Sequence, residues 1–382
     1  MEKITDFEKC SGCHACYNIC PKKCISMQPD SEGFLRPVVD GSLCIDCGLC
    51  IKICPILGEY KGNPKGKVYA CINNNEETRQ QSSSGGVFSL LAEHILKQDG
   101  VVFGAAFDED LNVNHIEITD ITDLEKLYGS KYLQSRIGDT YKSAKEYLEA
   151  GKVVLFTGTP CQISGLKAYL GKDYENLFTQ DLICHGVPSP SVWQKYLRFR
   201  EKSAGASTRR TFFRHKKYGW KMFSVLLDFT NSTEYLQIFS KDLYMRAFLS
   251  NLCLRPSCYN CHSKSVERES DITLADFWGI EKVCPEFFDD KGTSLVLVNS
   301  KRGQQLFADV ASKMRYTEVD MDAALKFNYP AYRSVAMPKN RELFMSLVND
   351  IPFDEAIKVC IKTSPVKKAV RLVKRILRKV IK

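Results

Sequence analysis

Residues 10–21 read CSGCHACYNICP, and residues 44–55 read CIDCGLCIKICP. Both follow C-x2-C-x2-C-x3-C-P: Cys10, Cys13, Cys16 and Cys20 stand before Pro21, and Cys44, Cys47, Cys50 and Cys54 before Pro55. Each cysteine of the second run lies 34 residues after its counterpart, so the segment is an internal duplication. Four thiolates per site suit an iron–sulfur cube, and in this motif the fourth cysteine of each run crosses to the other cluster. The expected ligand sets are Cys10, Cys13, Cys16 and Cys54 for one [4Fe–4S] cluster, and Cys44, Cys47, Cys50 and Cys20 for the other. Zinc is the competing reading, but zinc sites usually combine two C-x2-C pairs without an evenly spaced third cysteine. Cys24 falls just outside the pattern and reads as a small buried filler.

Residues 1–58 resemble a bacterial two-cluster ferredoxin. The chain holds 17 cysteines in 382 residues, nine of them within the first 54. The opening MEKITDFEKC has no apolar signal core, so a cytoplasmic chain with reduced thiols is expected. Apolar types make up 44% and charged types 26%, which permits a buried core and excludes wholesale disorder. No run of 18 apolar residues occurs, so no spanning helix is expected. The net charge is +9, from 54 cations and 45 acids. The last 18 residues hold eight of the cations and no acid; without them the balance is 46 to 45. The basic character therefore belongs to a tail, and no nucleic-acid partner is expected for the body.

Residues 61–67 (KGNPKGK) read as a linker between a domain at 1–60 and a larger one at 68–350. Strand patterns at 67–72, 101–107, 153–157 and 178–183 alternate with helical ones at 87–97, 141–149, 162–170 and 192–202. A strand at 295–298 and a helix at 303–314 follow. Such alternation implies α/β layering with at least partly parallel strands. Residues 209–239 alternate aromatic or β-branched with polar types, which predicts an antiparallel hairpin. The expected fold class is α+β / α/β: a small duplicated ferredoxin-like domain, then a larger mixed-sheet α/β domain, then a C-terminal amphipathic helix.

Three stretches fall where strands should end and helices begin. Ser82–Gly86 (SSSGG) precedes a helix, and serine caps with glycines would offer backbone N–H groups to an anion such as a phosphate; an ordinary capped helix is the plainer reading. In Thr157–Gln162 (TGTPCQ), Thr159 can cap and Pro160 suits the first helical position. Cys161 then sits in the first turn, as metal ligand, nucleophile or inert filler. Leu182–Gly186 (LICHG) is the third. Cys258 and Cys261 form a further C-x2-C pair, and two more thiolates would complete a site. Cys161 and Cys184 are the natural candidates for a third [4Fe–4S] cluster, with Cys253 as substitute; zinc is the alternative there.

Much of 67–345 resembles the family of coenzyme F-420 hydrogenase and dehydrogenase beta subunits. The resemblance lies in SSGG (83–86), GSKY (129–132), GTPCQ (158–162), CHG (184–186), RPSCYNC (255–261) and DITLADFWG (271–279). It implies an iron–sulfur flavoprotein oxidoreductase that binds FAD and exchanges hydride with an acceptor or donor; some members use a deazaflavin coenzyme. It supports the third cluster and makes 68–350 a flavin-binding domain. Flavin contacts are expected from Ser83, Ser84, Gly85, Gly86, Ser130, Lys131, Tyr132, Thr157, Gly158 and Thr159, with Asp276, Trp278 and Gly279 carried over as motif. Lys131 read blandly is a solvated lysine, and Trp278 a core tryptophan. The partner is expected to be a redox protein or a small-molecule acceptor.

Two competing functions remain in view. Cys161 and His185 could be a nucleophile–base pair, which leaves Cys258, Cys261 and two clusters without a purpose. The chain could also be an electron-transfer adaptor without a substrate of its own. The basic–aromatic stretch 209–220 (RRTFFRHKKYGW) could bind single-stranded nucleic acid, but a solvated hairpin or a lip for an anionic cofactor suits the near-neutral body better. In the tail, 365–382, apolar residues at three- and four-residue spacing oppose a basic face. Such a helix is about 25 Å long at 1.5 Å per residue and predicts peripheral docking on an anionic inner leaflet; a partner protein or the body is the alternative bed.

Overall fold

The computed structural model describes residues 4, 6 and 8–361; the tail helix expected over 365–382 lies outside the described residues. The strands are β1 (Ile25–Pro29), β2 (Leu35–Val39), β3 (Lys67–Asn73), β4 (Val101–Phe107), β5 (Val113–Ile118), β6 (Ser135–Arg136) and β7 (Val154–Thr157). They continue with β8 (Leu177–Leu182), β9 (Thr208–His215), β10 (Ser224–Phe229), β11 (Glu234–Ile238), β12 (Ile272–Asp276), β13 (Ser294–Val298) and β14 (Met314–Glu318).

The N-terminal module is built on a hairpin between the two cysteine runs. β1 and β2 pair antiparallel, from Ile25 opposite Val39 to Pro29 opposite Leu35. Two short helices, Ala15–Ile19 and Leu49–Lys52, carry the duplicated cysteines around it. The large unit is a nine-stranded mixed sheet in the order β14-β3-β13-β12-β8-β7-β4-β5-β6. Its centre, β12-β8-β7-β4, is parallel. β13, β3 and β14 on one side and β5 on the other run antiparallel.

Alternating side chains explain why helices cover both faces. Val102 and Leu155 point to one face, under Leu91 and Ile95 of the helix Val87–Leu96 and Leu306 of the helix Lys301–Val310. Val101, Phe103, Val154 and Phe156 point to the other, against Tyr141, Leu148, Ile163 and Leu166. A strand buried on both sides has no polar face to alternate, hence the continuous apolar run of β7 and β13.

Residues 209–239 form a three-stranded meander, β9-β10-β11, one strand more than a hairpin. It packs on the helices Pro190–Ala204, Leu243–Leu249 and Arg341–Asp350. The helix Phe353–Cys360 also closes this core with buried Phe353, Ala356 and Ile357, so the packed body continues beyond residue 350. The stretch 61–67 lies against the large unit, with the Asn63 N–H donating to the Arg268 carbonyl at 2.7 Å.

Candidate redox centres and cofactor site

The twelve cysteines expected as ligands line three hollows. The first, about 350 Å³, is lined by Cys10, Cys13, Cys16 and Cys54 together with Gly12 and His14. The second, about 380 Å³, is lined by Cys20, Cys44, Cys47 and Cys50. The fourth cysteine of each run thus stands beside the first three of the other. The third, about 370 Å³, gathers Cys161, Cys184, Cys258 and Cys261 from segments up to a hundred residues apart. Cys253 is not among them; it is buried in the apolar core. Cys24 lines the second hollow, its Sγ 3.3 Å from that of Cys20.

The sheet explains the third gathering. β7 and β8 are adjacent and parallel, so their C-terminal ends open on the same edge. Cys161 follows β7 in the first turn of the helix Pro160–Leu170. Thr159 caps that helix: its N–H donates to Gln162 Oε1 at 2.9 Å, and Pro160 takes the first helical position. Cys184 follows β8. Cys258 and Cys261 come on the turn Pro256–Asn260, tied down where the Val187 N–H donates to Cys258 Sγ at 3.3 Å and the Cys261 N–H to Ser334 Oγ at 2.9 Å. Lys264 and Arg268 complete the lining, and Lys264 Nζ donates to the Cys184 carbonyl.

Burial opposes ionisation of these thiols. It pushes Cys258 up to about 12, with Cys184 and Cys261 adding to the rise, and Cys161 is driven well above the thiol range by burial and then by Cys261. Burial likewise pushes Cys13 up to about 12. Four such thiolates stand together only around a cationic core. Among the described residues no three His, Cys, Asp or Glu side chains are grouped to hold a single metal ion. Four of the expected cysteines line each hollow, which matches the ligand count of an iron–sulfur cube.

The nucleophile–base reading of Cys161 and His185 does not fit this geometry. His185 Nε2 is engaged by Asn251 Oδ1 at 2.7 Å, and Cys161 Sγ lies 3.2 Å from Thr159 Oγ1.

The proposed flavin contacts divide into two groups. Ser83, Ser84, Ser130, Tyr132, Asp276 and Trp278 are drawn together by β9. Ser83 Oγ accepts from the Ser130 N–H at 2.7 Å and lies 2.9 Å from the Ser130 hydroxyl. Arg214 grips Asp276 with two bonds of 2.7 and 3.0 Å and reaches the Ser83 carbonyl at 3.3 Å and Tyr132 Oη at 3.4 Å. Lys216 donates to the Ser84 carbonyl at 2.9 Å. Trp278 stacks on Trp220 at 4.9 Å and 8°, and Trp220 Nε1 donates to Asp276 Oδ1 at 2.9 Å. Arg214, Lys216 and Trp220 are buried, so the inner half of the 209–220 stretch faces this cluster rather than solvent.

Other expected contacts stand apart. Thr157, Gly158 and Thr159 lie at the end of β7, where buried His115 holds the Thr157 carbonyl at 2.9 Å. Burial holds that imidazole down at about 4, so it is neutral. Lys131 is half-buried rather than freely solvated: Nζ donates to the carbonyls of Tyr128 (2.8 Å) and Lys126 (3.2 Å), and burial lowers its pKa to about 7. The helix after the serines is capped by Gly86 in the left-handed region (φ 80°), without a serine side chain. The Gly85 N–H is already given to Ser294 Oγ at 3.0 Å. Gly279 caps the helix Ile280–Val283. Sequence reasoning gave Arg214 and Lys216 no individual role; their place within an alternating strand pattern was the available signal.

Two family models match the chain. Residues 151–324 match the C terminus of the coenzyme F420 hydrogenase/dehydrogenase beta subunit, and residues 9–56 match the 4Fe-4S dicluster domain. A subunit of the F(420)H(2) dehydrogenase of Methanosarcina mazei is 23% identical over 173 residues, covering 42% of this chain and 49% of that protein. Coenzyme F420-dependent sulfite reductase of Methanocaldococcus jannaschii is 27% identical over 176 residues, covering 44% of this chain and 26% of that protein. The chain thus spans about half the length of the first relative and about a quarter of the second. A chain of the F420-reducing [NiFe] hydrogenase complex from Methanosarcina barkeri superposes with a TM-score of 0.46 at 15% identity, covering 79% of this chain and 94% of that one.

Proposed function

We propose that this chain, whose residues 151–324 match the C terminus of the coenzyme F420 hydrogenase/dehydrogenase beta subunit and whose residues 9–56 match the 4Fe-4S dicluster domain, is an iron–sulfur flavoprotein oxidoreductase moving electrons along three [4Fe–4S] clusters. The ligands are Cys20, Cys44, Cys47 and Cys50 for the outer cluster, Cys10, Cys13, Cys16 and Cys54 for the inner, and Cys161, Cys184, Cys258 and Cys261 for the third. A flavin, when bound, exchanges two electrons as a hydride yet passes them singly, and clusters take one each.

The observation that carries this reading is the helix Pro160–Leu170, which touches two of the three hollows. Cys161 lines the third; one turn on, a Cβ at Gly165 would fall 2.9 Å from Cys13 Cβ and 3.1 Å from its Sγ. Only glycine lets the helix backbone come so near the inner site. The order outer, inner, third follows. At the far end, Cys47 is exposed amid exposed Leu43, Ile45, Leu49 and Ile51, which suits entry from a redox partner protein.

FAD is assigned to the cluster around Arg214. Ser83, Ser84, Ser130 and Tyr132 offer polar contacts, Asp276 orients Arg214, and the cations of Arg214 and Lys216 suit phosphate oxygens. Gly85, Gly86, Lys131, Thr157, Gly158, Thr159 and Gly279 shape the surrounding strand ends, and Trp278 offers a ring face. The hydride partner is a small-molecule acceptor or donor, a deazaflavin coenzyme being one candidate.

Anaerobic purification with iron, sulfide and flavin analysis tests the reading. About twelve irons per chain are expected for three cubes, with a flavin absorption band. Colourless protein holding only zinc overturns it. The adaptor alternative shares the exposed apolar patch; protein that holds flavin but reduces no small acceptor favours it.

Among the described residues no helix is long and apolar enough to cross a membrane. Docking of 365–382 on an anionic cytoplasmic leaflet is proposed separately, and deletion of 366–382 should abolish co-sedimentation with anionic vesicles.

A further inference from the structure

Arg255 is buried, at 1% exposure, between the inner and third cysteine hollows. Its backbone opens the turn that carries Cys258: the Cys258 N–H donates to the Arg255 carbonyl at 2.9 Å. Its side chain points the other way, into the N-terminal module. Nε donates to the Cys10 carbonyl at 2.8 Å, Nη2 to the Leu35 carbonyl at 3.0 Å, and Nη2 lies 3.7 Å from Cys10 Sγ. Nη1 is buried and has no hydrogen-bond partner.

Two neighbours are shaped around this guanidinium. Gly12, between Cys10 and Cys13, has φ +67°, and a Cβ there would fall 2.7 Å from Nη1. The Phe34 ring lies 5.5 Å from the guanidinium carbon. Nearby Arg36, also bound to the Cys10 carbonyl (3.2 Å), is paired with Asp30 at 2.9 Å. The contacts of Arg255 instead run to carbonyls and a thiol.

A buried guanidinium without a carboxylate is costly unless other negative charge compensates it. The groups that would carry that charge are the cysteine sulfurs on either side.

We propose that Arg255 is a positioning residue for electron transfer: it is the fixed counter-charge of the inner cluster on the side facing the third. This rests on the reading of both hollows as cluster sites. A four-thiolate cube is more negative when reduced, so an adjacent fixed cation stabilises the reduced form and raises the midpoint potential. In the step it serves, the inner site is oxidised by one electron and the third reduced by one, or the reverse. No bond forms or breaks and no proton moves. Gly12 keeps the guanidinium against the inner site, and its link to Cys258 through the turn ties that position to the third.

The experiment uses the anaerobically purified full chain and potentiometric titration followed by electron paramagnetic resonance. The outer signal is assigned by its loss in Cys47→Ser. Arg255→Gln should keep its iron and move the inner midpoint to lower potential while the outer midpoint stays; Arg255→Lys should restore most of the shift. Gly12→Ala displaces the guanidinium without deleting it and should shift the inner midpoint in the same direction by less. That variant decides the matter if Arg255→Gln does not assemble. An inner midpoint unmoved in Arg255→Gln or in Gly12→Ala overturns the proposal, as does an equal shift of every signal. Wild-type protein without cluster signals would instead fail the underlying reading.

Discussion

The two cysteine runs are copies in spacing and opposites in surroundings. The inner hollow has Cys10 and Cys13 buried, the Gly165 backbone against Cys13 and Arg255 beside Cys10. The outer one has Cys47 exposed, with Ile45 58% and Leu43 55% accessible around it. On the proposed reading, identical ligand spacing would make two electrochemically different places, because dielectric, fixed charge and access come from what packs against the ligands. The outer copy suits exchange with a partner, and the inner copy suits transfer within the chain.

Removing one ligand from each copy gives the largest effect. Cys13→Ser and Cys47→Ser should each lower the iron content from about twelve toward about eight per chain. Cys13→Ser should also stop electrons from reaching the third site, as rapid-mixing absorption would record, and lower the melting temperature more than Cys47→Ser. Equal melting losses would dissolve the distinction between the copies.

The outer surface can be broken without touching a cluster. The double variant Leu43→Asp, Ile51→Asp, at exposed positions outside the lining of the outer hollow, should raise the KM for a protein electron carrier roughly tenfold, equivalent to about 1.4 kcal/mol. The iron content and the rate with a small dye should stay as in the wild type. An unchanged KM would remove the patch from the entry route.

On the inner side, Gly165→Ala places a methyl against Cys13 and against Tyr141 Oη, 2.9 Å away. Overpacking costs about 1–3 kcal/mol, offset by about 1 kcal/mol of helix propensity. A net loss of about 1 kcal/mol in urea unfolding is expected. A gain would mean that the helix does not press on the inner site.

A separate effect lies away from both copies, at Lys216. Burial, then Arg214 and Arg79, lower its pKa from 10.5 to about 7. Between those values the unfolded chain holds a proton that the folded chain does not, so raising the pH through this window favours the fold. Below about 7 both states are protonated and the contribution is constant. Flavin-free protein should therefore gain stability from pH 7 to pH 10 in urea titrations, and Lys216→Met should flatten that gain. A parallel pH dependence in the variant would assign the slope to other groups.

Much of the fold was legible because burial writes itself into local pattern. The apolar runs of β4, β7 and β13 and the stripe of the helix Val87–Leu96 are read without knowing their neighbours. The strands that went unread are β1, β2, β5, β6, β12 and β14. β12 contains Thr273 and Asp276, whose polar groups are satisfied largely by distant partners: Thr273 by Asp181 and Asn299, and Asp276 by Arg214 and Trp220. β14 is an edge strand with a single buried residue. Lys131 read as a solvated cation because the carbonyls that hold it belong to a turn no periodicity announces.

What the residues determined by themselves is the local chemistry. Four thiols at fixed spacing, twice over, mark the segment as a 4Fe-4S dicluster domain, and alternating apolar runs mark a layered α/β body. The tertiary structure decided everything that depends on adjacency across the chain. It brought Cys258 and Cys261 to the ends of β7 and β8, turned one copy of the repeat inward, and placed Arg255 beside Cys10 and Arg214 beside Asp276. The physical reason is range: ligand spacing is fixed by a few covalent bonds, whereas burial and fixed charge are set by the order of strands in a sheet.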